Sequence, residues 1–185
     1  MRHLPNAITV LRAALIPLLA WLLISADYRP AFVLFVASGV SDLADGWIAR
    51  RFDLRTRFGA VADPLADKLT MLTVAVLLAM QGWLPWWFTL LVVGRDAVIL
   101  AGALAYHLTI GEVEIAPTWI SKCNTALEFV FLAGVLGLAA GYLGDGPWHP
   151  ALLYLTSATA VASGISYVVV WSRKAVRERR VARRP

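Results

Sequence analysis

Cysteine is nearly missing from this chain: Cys123 is the single one in 185 residues. One thiol forms neither an internal disulfide nor a thiolate metal cluster, so Cys123 is expected to pack as a small apolar residue. Charge is scarce too: Asp, Glu, Lys and Arg make up 16% of the chain, against 59% hydrophobic residues. Together with a positive mean hydropathy, this balance excludes an ordinary soluble domain and indicates an integral membrane protein. The period-two alternation of a β-barrel is missing. So are repeats, low-complexity tracts and a convincing small-residue cleavage site after the first apolar run, so no cleavable signal is expected. His107 and His149 have no partner at metal-ligand spacing and read as packing residues at the membrane interface.

What is present is a series of six apolar segments, each long enough to cross a bilayer. They run over 7–25, 31–50, 60–80, 84–106, 118–142 and 149–172, with Gly, Pro and polar residues at the breaks. The expectation is an all-α integral membrane protein of six transmembrane helices. Residues 1–172 form one domain, and 173–185 form a basic cytoplasmic tail. The net charge of +5 does not indicate nucleic acid, because seven of the 17 basic residues fall in the last 13 positions. Behind an apolar segment they read as an anchor on anionic lipid. The 50–57 connection holds Arg50, Arg51, Arg55 and Arg57, whereas the 26–30, 81–83 and 143–149 connections hold only Arg29. This asymmetry predicts cytoplasmic termini and a cytoplasmic 50–57 connection. Trp83, Trp86, Trp87 and Trp148 then form an aromatic belt at the opposite surface.

The second and third segments are interrupted by carboxylates. Asp42 and Asp45 are three apart, and Asp63 and Asp67 are four apart, so on helices each pair shares a face. Four carboxylates converging in or near a membrane would be prohibitive without cations, which indicates a divalent metal site at the mouth of a helical bundle. Hard oxygen ligands favour Mg²⁺, Mn²⁺ or Ca²⁺ over Zn²⁺. Gly46 and Ala49 continue the Asp42 stripe and leave room for a bulky group beside the backbone. Arg50 at its edge suits a phosphate oxygen. Carboxylates, metal and arginine together point to phosphoryl-type displacement on a phosphate-bearing substrate. The competing reading, in which the aspartates merely pair with Arg50, Arg51, Arg57 and Lys68, does not account for the two stripes and the small residues between them.

The spacing Asp42-x2-Asp45-Gly46-x2-Ala49-Arg50-x8-Gly59-x3-Asp63-x3-Asp67 resembles the signature of the CDP-alcohol phosphatidyltransferase family at all eight fixed positions. The resemblance implies a CDP-alcohol phosphotransferase-like bundle, six-helix homodimers, and transfer of a phosphatidyl group from CDP-diacylglycerol to an alcohol with release of CMP. By matching position, Asp42, Asp45, Asp63 and Asp67 would hold Mg²⁺ or Mn²⁺, and Asp67 would also serve as general base. Gly46 and Ala49 would admit the cytidine, and Arg50 would contact the diphosphate. Asn6 and Thr9, in Asn6-Ala7-Ile8-Thr9, and Thr56 would complete the nucleotide site with Asp42. No Ser or Cys is placed to form a covalent intermediate.

Segments four and five are expected to shape the acceptor pocket through Arg95, Lys122 and Asn124. Arg95 and Asp96 could instead form a salt bridge within the bundle. A role at a site is favoured, because ionisable residues inside membranes usually serve one. Gly94-Arg95-Asp96 and Ser121-Lys122-Cys123-Asn124-Thr125 look more like the cardiolipin synthase pattern than that of the phosphatidylglycerophosphate synthases. Between Arg95 and Lys122 there is no Lys or Arg, while Glu112 and Glu114 are present. That is poor provision for a phosphate dianion. The expected acceptor is therefore phosphatidylglycerol, giving cardiolipin, with glycerol 3-phosphate as the alternative. A small cation transporter is the alternative of a different class. The expected location is a bacterial inner membrane with the active site facing the cytoplasm.

Overall fold

The computed structural model describes the backbone of residues 4–51, 57–109 and 118–181, and side chains within 14–42, 65–104 and 118–171. The described elements are all helices: α1 (Leu4–Ile24), α2 (Tyr28–Arg51), α3 (Arg57–Met80), α4 (Trp86–Thr109), α5 (Trp119–Ala139) and α6 (Trp148–Val181). Each coincides with one expected segment, with ends shifted by a few residues. The largest shift is in α6, which continues to Val181 although its apolar stretch ends near 172. Apolar character delimits a span, whereas the Arg, Lys, Glu and Ala that follow are themselves good helix formers. Among the described residues, three stretches are long and apolar enough to cross a membrane: Trp86–Leu104, Trp119–Ala139 and Trp148–Trp171. Ala14–Ile24 is a shorter apolar helix.

The chain divides into two compact units, one of Met1–Pro85 with Leu132–Gly146 and one of Trp86–Phe131 with Pro147–Pro185. In the first, α1 packs on both α3 and α2. Leu19 and Leu23 of α1, Phe35 of α2, and Val74 and Leu78 of α3 are buried. Three helices end in the same way. In α1 the Asp27 N–H donates to Leu22 O (2.9 Å) and the Ala26 N–H to Leu23 O (3.0 Å). In α3 Trp83 donates to Leu78 (2.9 Å) and Gly82 to Ala79 (3.1 Å), and in α5 Tyr142 donates to Gly137 (2.9 Å) and Gly141 to Leu138 (3.0 Å). These are Schellman caps, whose pivot residue is left-handed. The pivots are Gly82 (φ 81°), Gly141 (φ 75°) and, without the relief of glycine, Ala26 (φ 58°). Side chains bind further groups at these ends: Gln81 Nε2 donates to Leu23 O, Arg29 Nε to Ala140 O at 3.4 Å, and Trp83 Nε1 to Tyr28 Oη at 3.1 Å.

In the second unit α4 packs on α6. Phe131 stands edge-on to Phe88, with centroids 5.0 Å apart, and stacks on His149 at 5.8 Å. His149 is thus a packing residue, as its spacing indicates. The outer surface is apolar, with Leu100 72% and Trp119 80% exposed, as expected of helices whose solvent is hydrocarbon. Lipid tails are as apolar as leucine, so such helices are held by close packing and interhelical polar bonds rather than by apolar burial alone. Cys123 differs from expectation: it is exposed. On α5 it lies off the buried stripe of Ser121, Asn124 and Glu128, and in lipid a small apolar residue gains little by facing inward.

Candidate functional site

The helical backbone of α2 and α3 sets the register of the acidic residues. Asp42, Asp45, Gly46 and Ala49 occupy one face of α2 at i, i+3, i+4 and i+7. Asp63 and Asp67 are one turn apart on α3. Asp42 and Asp67 are both half-buried. Thr56 lies outside the described residues, as do the side chains of Asn6, Thr9, Asp45, Gly46, Ala49, Arg50 and Asp63. Among the described residues no three metal-ligating side chains gather, because only Asp42 and Asp67 of the four aspartates are included. The donor set, four carboxylates one turn apart in pairs with two of them accessible, fits a hard divalent cation.

The second unit shows side chains in full. Thr118 caps α5, its Oγ1 accepting from the Ser121 N–H at 3.3 Å, which places Ser121, Lys122 and Asn124 in the first turns of the helix. Arg95, 5% exposed, joins three helices. Its Nη1 donates to Asp96 at 2.5 Å, and its Nη2 donates to Ser121 of α5 at 2.6 Å and to Ser163 of α6 at 2.8 Å. Its Nε donates to the same Ser163 hydroxyl at 3.2 Å. The ion pair with Asp96, weighed above against a site role, is therefore present. It removes most of the net charge Arg95 would otherwise bring into the bundle.

One turn further along α5, Asn124 is fully buried, and its Oδ1 accepts from Thr159 Oγ1 of α6 at 2.9 Å. Asn124 Nδ2 and Thr156 Oγ1 are buried without a hydrogen-bond partner among the described residues. Glu128 follows on the same stripe and is 2% exposed. Lys122 is exposed, with Nζ 5.3 Å from the Trp119 ring centroid. Of the three expected acceptor residues, Arg95 and Asn124 thus each bond α6 from a neighbouring helix, while Lys122 is exposed beside Trp119. Sequence reading missed Thr159 and Ser163. Their signal was a hydroxyl stripe, Thr156, Thr159 and Ser163 at i, i+3 and i+7 in an otherwise apolar segment.

The fold and these groups define an all-helical membrane protein that carries an acidic signature on two of its helices and a neutralised cation inside the bundle. The chain belongs to the CDP-alcohol phosphatidyltransferase family, whose model matches residues 2–172. It is 36% identical over 183 residues to the "Cardiolipin synthase (CMP-forming) / mitochondrial hydrolase fusion protein" of Schizosaccharomyces pombe, covering 90% of this chain and 30% of that protein. It is 30% identical over 180 residues to the human "Cardiolipin synthase (CMP-forming)", covering 89% and 60%. A chloroplastic CDP-diacylglycerol–glycerol-3-phosphate 3-phosphatidyltransferase of Oryza sativa is 29% identical over 196 residues, covering 96% and 59%. The chain spans less than two thirds of the length of each of these three relatives.

Proposed function

We propose that this chain transfers the phosphatidyl group of CDP-diacylglycerol to phosphatidylglycerol, forming cardiolipin and CMP. The observation that carries the acceptor assignment is the pairing of Arg95 with Asp96. Glycerol 3-phosphate brings nearly two negative charges and needs several uncommitted cations, whereas the phosphodiester of phosphatidylglycerol brings one. The cardiolipin synthase names of the fungal and human relatives support the same choice.

In this reading a terminal glycerol hydroxyl of phosphatidylglycerol attacks the phosphorus that carries the diacylglycerol. The new P–O bond forms as the bond to the CMP oxygen breaks, and the hydroxyl proton passes to the Asp67 carboxylate. Asp42, Asp45, Asp63 and Asp67 would hold Mg²⁺ or Mn²⁺, which supplies neutralisation of the diphosphate charge when bound. Asn6, Thr9, Gly46, Ala49 and Thr56 receive the nucleotide, and Arg50 meets a phosphate oxygen. Arg95 and Asn124 serve the acceptor, and Lys122, expected beside them, lies exposed against Trp119.

The same proposal takes 1–172 as a six-span catalytic domain, 173–185 as its basic tail, and a homodimer in a bacterial inner membrane with the site on the cytoplasmic side. A cysteine placed at Thr56 or Val181 should resist an impermeant thiol reagent in intact cells and react in inverted vesicles. Cys123 is exposed, so the measurement needs a Cys123→Ser background. Labelling from outside the cell would overturn the topology. For the activity, purified protein is given CDP-diacylglycerol and Mn²⁺ with either phosphatidylglycerol or glycerol 3-phosphate. Cardiolipin from the first is expected. Phosphatidylglycerophosphate from the second, with no cardiolipin, would overturn the acceptor, and no lipid product from either would overturn the activity.

A further inference from the structure

We propose that one face of α6 positions the acceptor side chains, with Ser163 orienting Arg95 and Thr159 orienting Asn124. This rests on the reading that Arg95 and Asn124 serve the acceptor. Arginine is long and flexible, and a guanidinium recognises a phosphodiester through its plane as much as through its charge. Ser163 Oγ accepts from both Nε (3.2 Å) and Nη2 (2.8 Å). Two points on one edge fix the plane of the group as well as its place. Ser121 adds a third contact on Nη2 at 2.6 Å, and Asp96 takes one hydrogen of Nη1. The second Nη1 hydrogen has no assigned acceptor among the described residues, so the grip leaves one donor to offer. A Cβ at Gly164 would stand 3.9 Å from Arg95 Cγ, so the arginine stem runs close along the α6 backbone.

Asn124 is held by the same logic. Thr159 Oγ1 lies 2.9 Å from Asn124 Oδ1 and 3.0 Å from Thr156 O of its own helix, so the hydroxyl ties the Asn124 amide to the α6 backbone. Asn124 Nδ2 is fully buried and without a hydrogen-bond partner among the described residues. Buried donors are nearly always paired, and an exception calls for an explanation such as a ligand. Thr159 and Ser163 are four apart on α6 and therefore share a face. One helix face thus orients one side chain from α4 and one from α5.

A purely structural role predicts a different outcome from a positioning role. Single interhelical hydrogen bonds contribute little to membrane-protein stability, whereas small misplacements of a substrate-binding group cost much in reactivity. In purified protein, Ser163→Ala should raise the KM for phosphatidylglycerol by about tenfold, as expected for a misplaced contact. The KM for CDP-diacylglycerol and the melting midpoint should stay near wild type, and Ser163→Thr should restore the acceptor KM. Added to Arg95→Lys, Ser163→Ala should have no further effect, because it acts through the same side chain. Thr159→Val should raise the acceptor KM in the same selective way, which keeps the test available if Ser163→Ala does not fold. An unchanged acceptor KM in both variants would overturn the proposal, as would equal rises in both KM values with a lower melting midpoint. Arg95→Ala separates the layers. If it leaves the acceptor KM unchanged, the acceptor reading of Arg95 fails. If it raises that KM while Ser163→Ala and Thr159→Val are silent, only the positioning role fails.

Discussion

Among the described residues of the unit built around α1, α2 and α3, hydrogen bonds close and join helix ends. Ala26, Gly82 and Gly141 turn the chain, and Gln81, Arg29 and Trp83 bind carbonyl or hydroxyl groups there. In the unit of α4 and α6 with the first part of α5, polar groups instead meet in mid-helix. Arg95 bonds Asp96, Ser121 and Ser163, and Thr159 bonds Asn124. The first unit also carries all four signature aspartates, which the proposed function assigns to a divalent cation. In the second, the buried Arg95 is paired with Asp96. The difference teaches that the two kinds of polar residue in this chain have different work. In the proposed reading one set holds a cation and the nucleotide, while the other, with Arg95 already paired to Asp96, meets the acceptor.

That contrast can be broken experimentally, beginning with the largest effect. Chelation by EDTA should abolish turnover, and Mg²⁺ or Mn²⁺ should restore it, because in the proposed reading four carboxylates in paired helical register hold a hard divalent cation. Full activity in rigorously chelated buffer would remove them as ligands. Next, Asp67→Asn should lower kcat by roughly 10²–10⁴-fold, the range for loss of a general base, while CDP-diacylglycerol binding persists. Turnover at the wild-type rate would refute the base assignment. Arg50→Ala should weaken CDP-diacylglycerol binding by about 1.5–3 kcal/mol, the worth of a charge-assisted hydrogen bond, measured by equilibrium binding in detergent. The smallest effect tests the helix ends. Ala26→Gly should raise stability by about 1 kcal/mol, because alanine at φ 58° carries a left-handed penalty that glycine avoids. An unchanged or lower unfolding midpoint would show that the turn has no such strain.

The register of the first unit's aspartates was legible in the sequence because fixed spacing on a helix is itself geometry. Asp42 to Ala49 and Asp63 to Asp67 need only helical backbone to share their faces, and α2 and α3 supply it. The breaks at 26–30 and 81–83 were legible from turn residues, although Ala26 in place of glycine was not. The second unit was less legible because its chemistry depends on which residues from distant segments meet. Arg95 and Ser163 are 68 apart in sequence, and Asn124 and Thr159 are 35 apart. A serine or threonine in an apolar run looks the same whether it bonds its own helix, as Ser157 does to Leu153 O, or a neighbour, as Ser163 does. Cys123 was misplaced for a related reason: composition says how apolar a residue is, not which side of a membrane helix it takes.

The reaction proposed for this chain is phosphatidyl transfer from CDP-diacylglycerol to phosphatidylglycerol. Its most direct test is to quantify CMP and cardiolipin together in one reaction of the purified protein. Equal molar amounts of the two, both dependent on CDP-diacylglycerol, are predicted. CMP released without cardiolipin, or cardiolipin made from phosphatidylglycerol with no CDP-diacylglycerol present, would contradict it.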